Sequence, residues 1–190
     1  MNSIDPRLLT DADAPLIVFS DHSSGFVEWL IKMRTKGDYN HVMWFYRQGF
    51  FASQGNTYSE APLDRYMKHG NRLKFYRLIG ITPVQKYLIL ASIRKKLSLP
   101  WWKKCYDWFG IFGQAIGVKW VNTPWLQYCS EDVPSHLKYM AESGIPEYEN
   151  AHKVIMGIQK HFSPQELNDY FKQFPEIFQV YGKWEADDER

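Results

Sequence analysis

Apolar residues fall into short unbroken runs in the first half of the chain and into helical spacing in the second. "APLIVF" (14–19) is bounded by polar residues and predicts a buried strand. In "SSGFVEWLIKMRTKG" (23–37), Phe26, Val27, Leu30, Ile31 and Met33 recur at helical spacing, with a serine cap before them and Gly37 to end the helix. "NHVMWFYRQGFFASQG" (40–55) places two β-prone runs around Gln48-Gly49 and predicts a hairpin. A brief strand ending near Glu60, a turn or short helix after Pro62, and a strand over "RLKFYRLIG" (72–80) follow.

From "TPVQKYLILASIRKKL" (82–97) the period changes. Thr82 can cap a helix, Pro83 suits its first position, and Val84, Tyr87, Leu88 and Ala91 would form its apolar face. "LPWWKKCYDWFGIFGQAIG" (99–117) is aromatic, punctuated by glycine, and reads as irregular or helical. "WLQYCSEDVPSHLKYMAESG" (125–144) turns from an extended piece into a helix, with Val133, Leu137 and Met140 on one face and Gly144 at its end. Ser163, Pro164 and Glu166 form the start of another helix, closed by a capping box. Strands early and helices late predict an α+β fold, an antiparallel sheet packed against helices. With no repeat or linker in sight, residues 1–190 read as a single domain with a frayed acidic tail at 185–190.

Composition narrows the functional classes. The chain is 45% hydrophobic and 17% aromatic, which suits a packed interior and argues against disorder. A formal net charge of +2 points to no polyanionic partner, so nucleic acid is not expected. No apolar run approaches the ~18 residues of a membrane span. The N-terminus lacks a basic stretch followed by an apolar one, so the expected setting is cytoplasmic, with reduced thiols. The two cysteines, Cys105 and Cys129, are too few for a disulfide framework and leave at most one bridge. No metal-ligand spacing is present, and no cofactor is expected. "RKKLSLPWWKK" (94–104) interleaves basic and aromatic residues in a way that suits phosphate or a membrane surface, although a solvated helix end and a packed turn would read the same.

The candidate chemistry centres on Cys129. In "QYCSEDV" it stands at a helix entry, where backbone N–H groups and the helix dipole favour a thiolate; a buried cysteine acting as a small hydrophobe is the alternative. His41 opens a strand and is of the type that activates a thiol, yet a histidine satisfied by a carbonyl at a strand end has the same sequence. Glu60, on the strand after the hairpin, is a candidate to orient the ring, or else a solvated turn carboxylate.

The order of these pieces resembles the circularly permuted branch of the NlpC-type papain-like cysteine hydrolases, in particular the YiiX-like group. Its early strand, its "S-H-V" histidine, its "E-A" and its late "C-S-E-L" cysteine correspond here to "LIVF", "YNHVMWF", "YSEAPL" and "QYCSEDV". "KCYDWFG" and "SPQEL" look like further segments of that family, so the likeness runs from about residue 15 to about 170. It implies a permuted papain-like domain with Cys129 as nucleophile, His41 as base and Glu60 as third member. It also implies a peptide or cell-wall amide as substrate, cleaved through a thioester. A thioesterase or acyltransferase acting on lipid acyl groups, or a catalytically silent binding module, are the other readings. Two residues depart from the pattern. Asp132 stands where an apolar residue is usual, and Pro134 falls five residues past Cys129, which predicts a helix that starts late or kinks.

Overall fold

A computed structural model describes residues 2–21, 37–54, 57–68, 70–104, 129–143, 149–159 and 162–186. The expected helix at 23–37 and the segment containing Cys105 lie outside the described residues. The described strands are β1 (Leu16–Ser20), β2 (His41–Arg47), β3 (Phe50–Gln54), β4 (Tyr58–Pro62), β5 (Arg72–Leu78) and β6 (Phe178–Glu185). They form one six-stranded antiparallel sheet in the order β4-β3-β2-β1-β5-β6. Among the described residues there are four α-helices: α1 (Pro83–Ser98), α2 (Cys129–Glu142), α3 (Glu149–Met156) and α4 (Pro164–Gln173). The fold is α+β, as the early strands and late helices predict.

The sheet has two covered faces, which is why its central strands are apolar without alternation. β1 is buried at every residue. Ile17, Phe19, Val42, Trp44 and Tyr76 pack against Ile89 and Ile93 of α1, Val133 and Leu137 of α2, and Phe171 of α4. Leu16, Val18, Met43, Phe45 and Phe75 face the other way, onto Leu9, Leu63 and Tyr66. Because successive strand residues point to opposite faces, parity alone assigns a side chain to one layer or the other.

Local signals hold at several ends. The β2–β3 hairpin turns at Gln48-Gly49 with Gly49 at φ 76°, a conformation that suits a residue without Cβ. Thr82 and Ser163 each close a capping box at the starts of α1 and α4. The apolar face expected of α1 is overturned. Val84 and Tyr87 are exposed, while Gln85, Ile89 and Ile93 are buried at i, i+4 and i+8. Apolar and polar residues are mixed around that helix with no dominant apolar face, so its packing partners and not its own pattern select the buried stripe. The first two residues of the tail expected at 185–190 are held: Glu185 pairs with Arg72 at the end of β6, and the Ala186 N–H donates to the Asn71 carbonyl at 3.1 Å, while 187–190 lie outside the described residues.

On the helix face, buried Lys74 donates from Nζ to the Tyr76 hydroxyl at 2.5 Å and to Asn168 Oδ1 at 3.1 Å. Burial, helped by the charges of Lys172 and Lys183, pushes its pKa down from 10.5 to about 8. The folded state therefore holds this proton more weakly than the unfolded chain, and stability rises with pH between about 8 and 10.5 as the native amine discharges first. Urea unfolding of wild type and Lys74→Met across that range should show the difference moving in favour of wild type as pH rises. A pH-independent difference would contradict the burial of a charged Lys74.

Candidate functional site

His41 is the first residue of β2, paired across the sheet with Ser20 of β1. The loop before it is fixed by the rest of the fold. The Asn40 N–H donates to the Ser20 carbonyl at 3.1 Å, and the Asp38 N–H donates to Gln165 Oε1 of α4 at 2.9 Å. Gly37 lets Gln165 approach, since a Cβ there would come within 2.5 Å of its side-chain carbons.

The imidazole is held through Nε2, which lies 2.7 Å from Ser53 Oγ and 3.4 Å from the Tyr66 hydroxyl. Ser53 Oγ and the Tyr66 hydroxyl are 2.8 Å apart, and the Tyr66 ring stacks parallel to the imidazole with centroids 5.9 Å apart. Parity explains the arrangement. His41, Met43 and Phe45 share one face of β2, Phe51 and Ser53 share that face of β3, and the turn after β4 brings Tyr66 over them.

The expected third member, Glu60, is placed elsewhere. β4 pairs with β3 and not with β2, and its register sets Glu60 beside Ala52 and thus level with Trp44, about 10 Å along the strand from His41. Parity also turns it to the helix face. There its carboxylate accepts from the Tyr46 hydroxyl and from Arg47, with Arg47 Nη2 to Oε2 at 2.9 Å. An exposed ion pair of this kind contributes ~0–1 kcal/mol. Ser53, which sequence reasoning missed, stands where Glu60 was expected. The signal was the alternation in "FFASQ", which puts Ser53 on the same face as Phe51.

Cys129 is the first residue of α2, and its thiol lies outside what the structure describes. The late start expected from Pro134 does not occur: the helix runs from Cys129 through Pro134 to Glu142. Proline at the sixth helical position removes the bond to the Ser130 carbonyl, and tertiary contacts must offset that loss. Val133, Leu137 and Met140 supply part of them, buried against the sheet as their spacing predicts.

Asp132 supplies another. Its buried carboxylate accepts from Lys96 Nζ of α1 at 2.6 Å and lies 3.3 Å from His136 Nε2, one turn along α2. The Tyr58 hydroxyl of β4 is 3.4 Å from the same nitrogen, and Lys96 Nζ sits 4.4 Å from the centroid of the Tyr58 ring. On the far side of the imidazole, Nδ1 is 2.7 Å from Ser92 Oγ, whose proton goes to the Ile89 carbonyl. Nδ1 therefore donates to Ser92. Burial alone would push the Asp132 carboxyl up, but the positive charge of Lys96, with His136, outweighs it and holds the pKa below its ordinary 3.8. Burial and the Asp132 charge push Tyr58 well above its ordinary value. The i, i+4 spacing of Asp132 and His136 was legible in the sequence, but the lysine and tyrosine that complete the cluster come from other elements.

The described side chains thus form two groups on opposite sides of the sheet: His41–Ser53–Tyr66 on one, Asp132–Lys96–His136 with Glu60 on the other. Among the described residues, no three His, Cys, Asp or Glu side chains are placed to hold a metal ion, and no helix is long and apolar enough to cross a membrane. Comparison of the chain with protein-family models, curated proteins and solved structures finds no match in any of the three.

Removing the Asp132 carboxylate would take away the buried acceptor that faces Lys96 Nζ and His136 Nε2. Asp132→Ala should lower the unfolding free energy by about 3–5 kcal/mol at neutral pH. Because the native pKa is depressed, the contribution is present above the ordinary carboxylate range and lost as pH falls through the native value. Urea titrations at neutral and acid pH measure both; a loss below about 1 kcal/mol would place this cluster with exposed ion pairs.

Proposed function

We propose that the chain is a cysteine hydrolase of the permuted papain-like kind, acting on an amide bond in a peptide or cell-wall fragment. The observation that carries this reading is His41 at the mouth of β2, its Nε2 fixed by Ser53 and Tyr66, in a chain whose α2 helix opens at Cys129. A ring so held keeps one orientation, as a general base requires. In the proposed reaction, the His41 imidazole takes the Cys129 proton and the thiolate attacks the carbonyl carbon. The tetrahedral intermediate collapses to a thioester as His41 returns the proton to the leaving amine. Water, deprotonated by the same ring, then releases the acid and the thiol. N–H groups in the first turn of α2 suit the developing oxyanion, at ~3–4 kcal/mol per donor in comparable sites. Ser53, backed by Tyr66, takes the orienting role first assigned to Glu60.

A second reading has its own support. The His41 ring faces away from the layer in which the α2 apolar stripe packs, which favours a binding module of the same fold with no acyl chemistry.

Alkylation by iodoacetamide near pH 6, read peptide by peptide, separates the two. A helix N-terminus and a facing imidazole lower a thiol pKa from ~8.5 toward ~4–7. Cys129 should therefore react much faster than Cys105, and His41→Ala should slow it to the Cys105 rate. Ser53→Ala should slow it partially, and Glu60→Gln should leave it unchanged. Equal labelling of the two cysteines in the wild type would favour the binding module.

A further inference from the structure

The end of α1, the turn after it and the middle of α2 enclose a cavity of about 340 Å³. Four lysines line it, Lys95 and Lys96 from α1 and Lys103 and Lys104 from the turn, together with Ser92, Ser135, His136 and Gln54. Leu99 and Tyr139 supply an apolar wall, and no carboxylate is among the described lining residues. Asp132, behind the wall, is already bound by Lys96 and His136. Lys95 and Lys103 are exposed, and among the described residues no carboxylate pairs with either. A helix C-terminus ordinarily repels anions through its unpaired carbonyls. Here those carbonyls are covered: Lys104 Nζ donates to the Leu97 carbonyl at 2.9 Å, and Ser98 Oγ donates to the Lys95 carbonyl at 2.8 Å. Four ammonium groups and no carboxylate among the described lining residues give the cavity a positive charge that a dianion balances better than a monoanion.

We infer that this cavity binds a phosphomonoester, its phosphate among Lys95, Lys103 and Lys104 and its organic stem against Leu99 and Tyr139. The site is separate from the thiol chemistry proposed for Cys129 and does not depend on it. A phosphate accepts hydrogen bonds at three terminal oxygens and carries close to two charges at neutral pH, which suits several converging ammonium groups. Trp101 and Trp102, 66% and 60% exposed and packed edge to face, stand in the same turn as Lys103. The same headgroup chemistry is therefore open to a soluble phosphomonoester or to phosphatidate in a lipid surface.

Isothermal titration with phenyl phosphate at low salt tests the soluble source. Sedimentation with phosphatidylcholine vesicles, with and without phosphatidate, tests the lipid source. Lys95→Gln/Lys103→Gln should weaken whichever binding occurs by roughly tenfold or more, the worth of losing charge-assisted hydrogen bonds. Lys153→Gln, an exposed lysine on α3, should leave it unchanged. Both altered lysines are exposed, so a matching thermal midpoint will show that folding is intact. Saturable binding in either arm that needs Lys95 and Lys103 supports the site, and the arm in which it occurs names the source. Binding in neither arm, or binding that the double variant retains in full, overturns it.

Discussion

The Asp132 carboxylate, clasped between Lys96 and His136, is the contact on which the placement of α2 depends. It joins three elements at one buried point: α1 through Lys96 and Ser92, α2 through Asp132 and His136, and β4 through Tyr58. Burying charge costs several kcal/mol per ion, and only close pairing with full hydrogen bonding offsets it. Such a cluster tolerates little displacement. A helix held by apolar contacts alone can slide or rotate by a fraction of a turn at small cost; one that must satisfy Asp132 from two sides cannot. Cys129 lies one turn before Asp132 on the same helix, so the clasp also fixes where that helix begins.

The sheet imposes the second constraint. Its two faces are assigned by residue parity, and the candidate catalytic ring and the clasp use different ones. His41 shares its layer with Ser53 and Tyr66, and Trp44, three residues on, shares its layer with His136, edge to face with ring centroids 6.3 Å apart. For Cys129 to serve as nucleophile toward a His41 base, the start of α2 must reach the mouth of β2. Residue 41 is the first of its strand, where the sheet no longer separates the layers. The proposed reaction thus depends on the first turn of α2 lying at the end of the sheet, and the clasp one turn further on supplies the anchor.

Much of the architecture was legible because it rests on local chemistry. The capping boxes at Thr82 and Ser163, the turn at Gly49 and the buried run at 16–20 are each decided within a few residues. What the chain conceals is decided by partners distant in sequence. The buried stripe of α1 could not be chosen from a helix whose apolar and polar residues are mixed around its circumference. β6, absent from the sequence reading, is a strand because β5 offers it an open edge; its burial is mixed and its own pattern weak. Glu60 was misplaced because adjacency in the sheet was inferred from order along the chain, whereas β3 intervenes between β4 and β2. Asp132 and Pro134 looked like defects beside the cysteine. One is the centre of a buried ion cluster and the other lies inside an unbroken helix.

The central claim is that the Cys129 thiol and the His41 ring face each other, and the titration of that ring tests it most directly. Long-range ¹H–¹⁵N correlation spectra of the imidazole, recorded across a pH series for wild type and Cys129→Ser, give its midpoint in each. A facing thiolate favours the imidazolium, so loss of the thiolate should move the His41 midpoint to lower pH. An unchanged His41 midpoint in Cys129→Ser would contradict the pairing and with it the hydrolase reading.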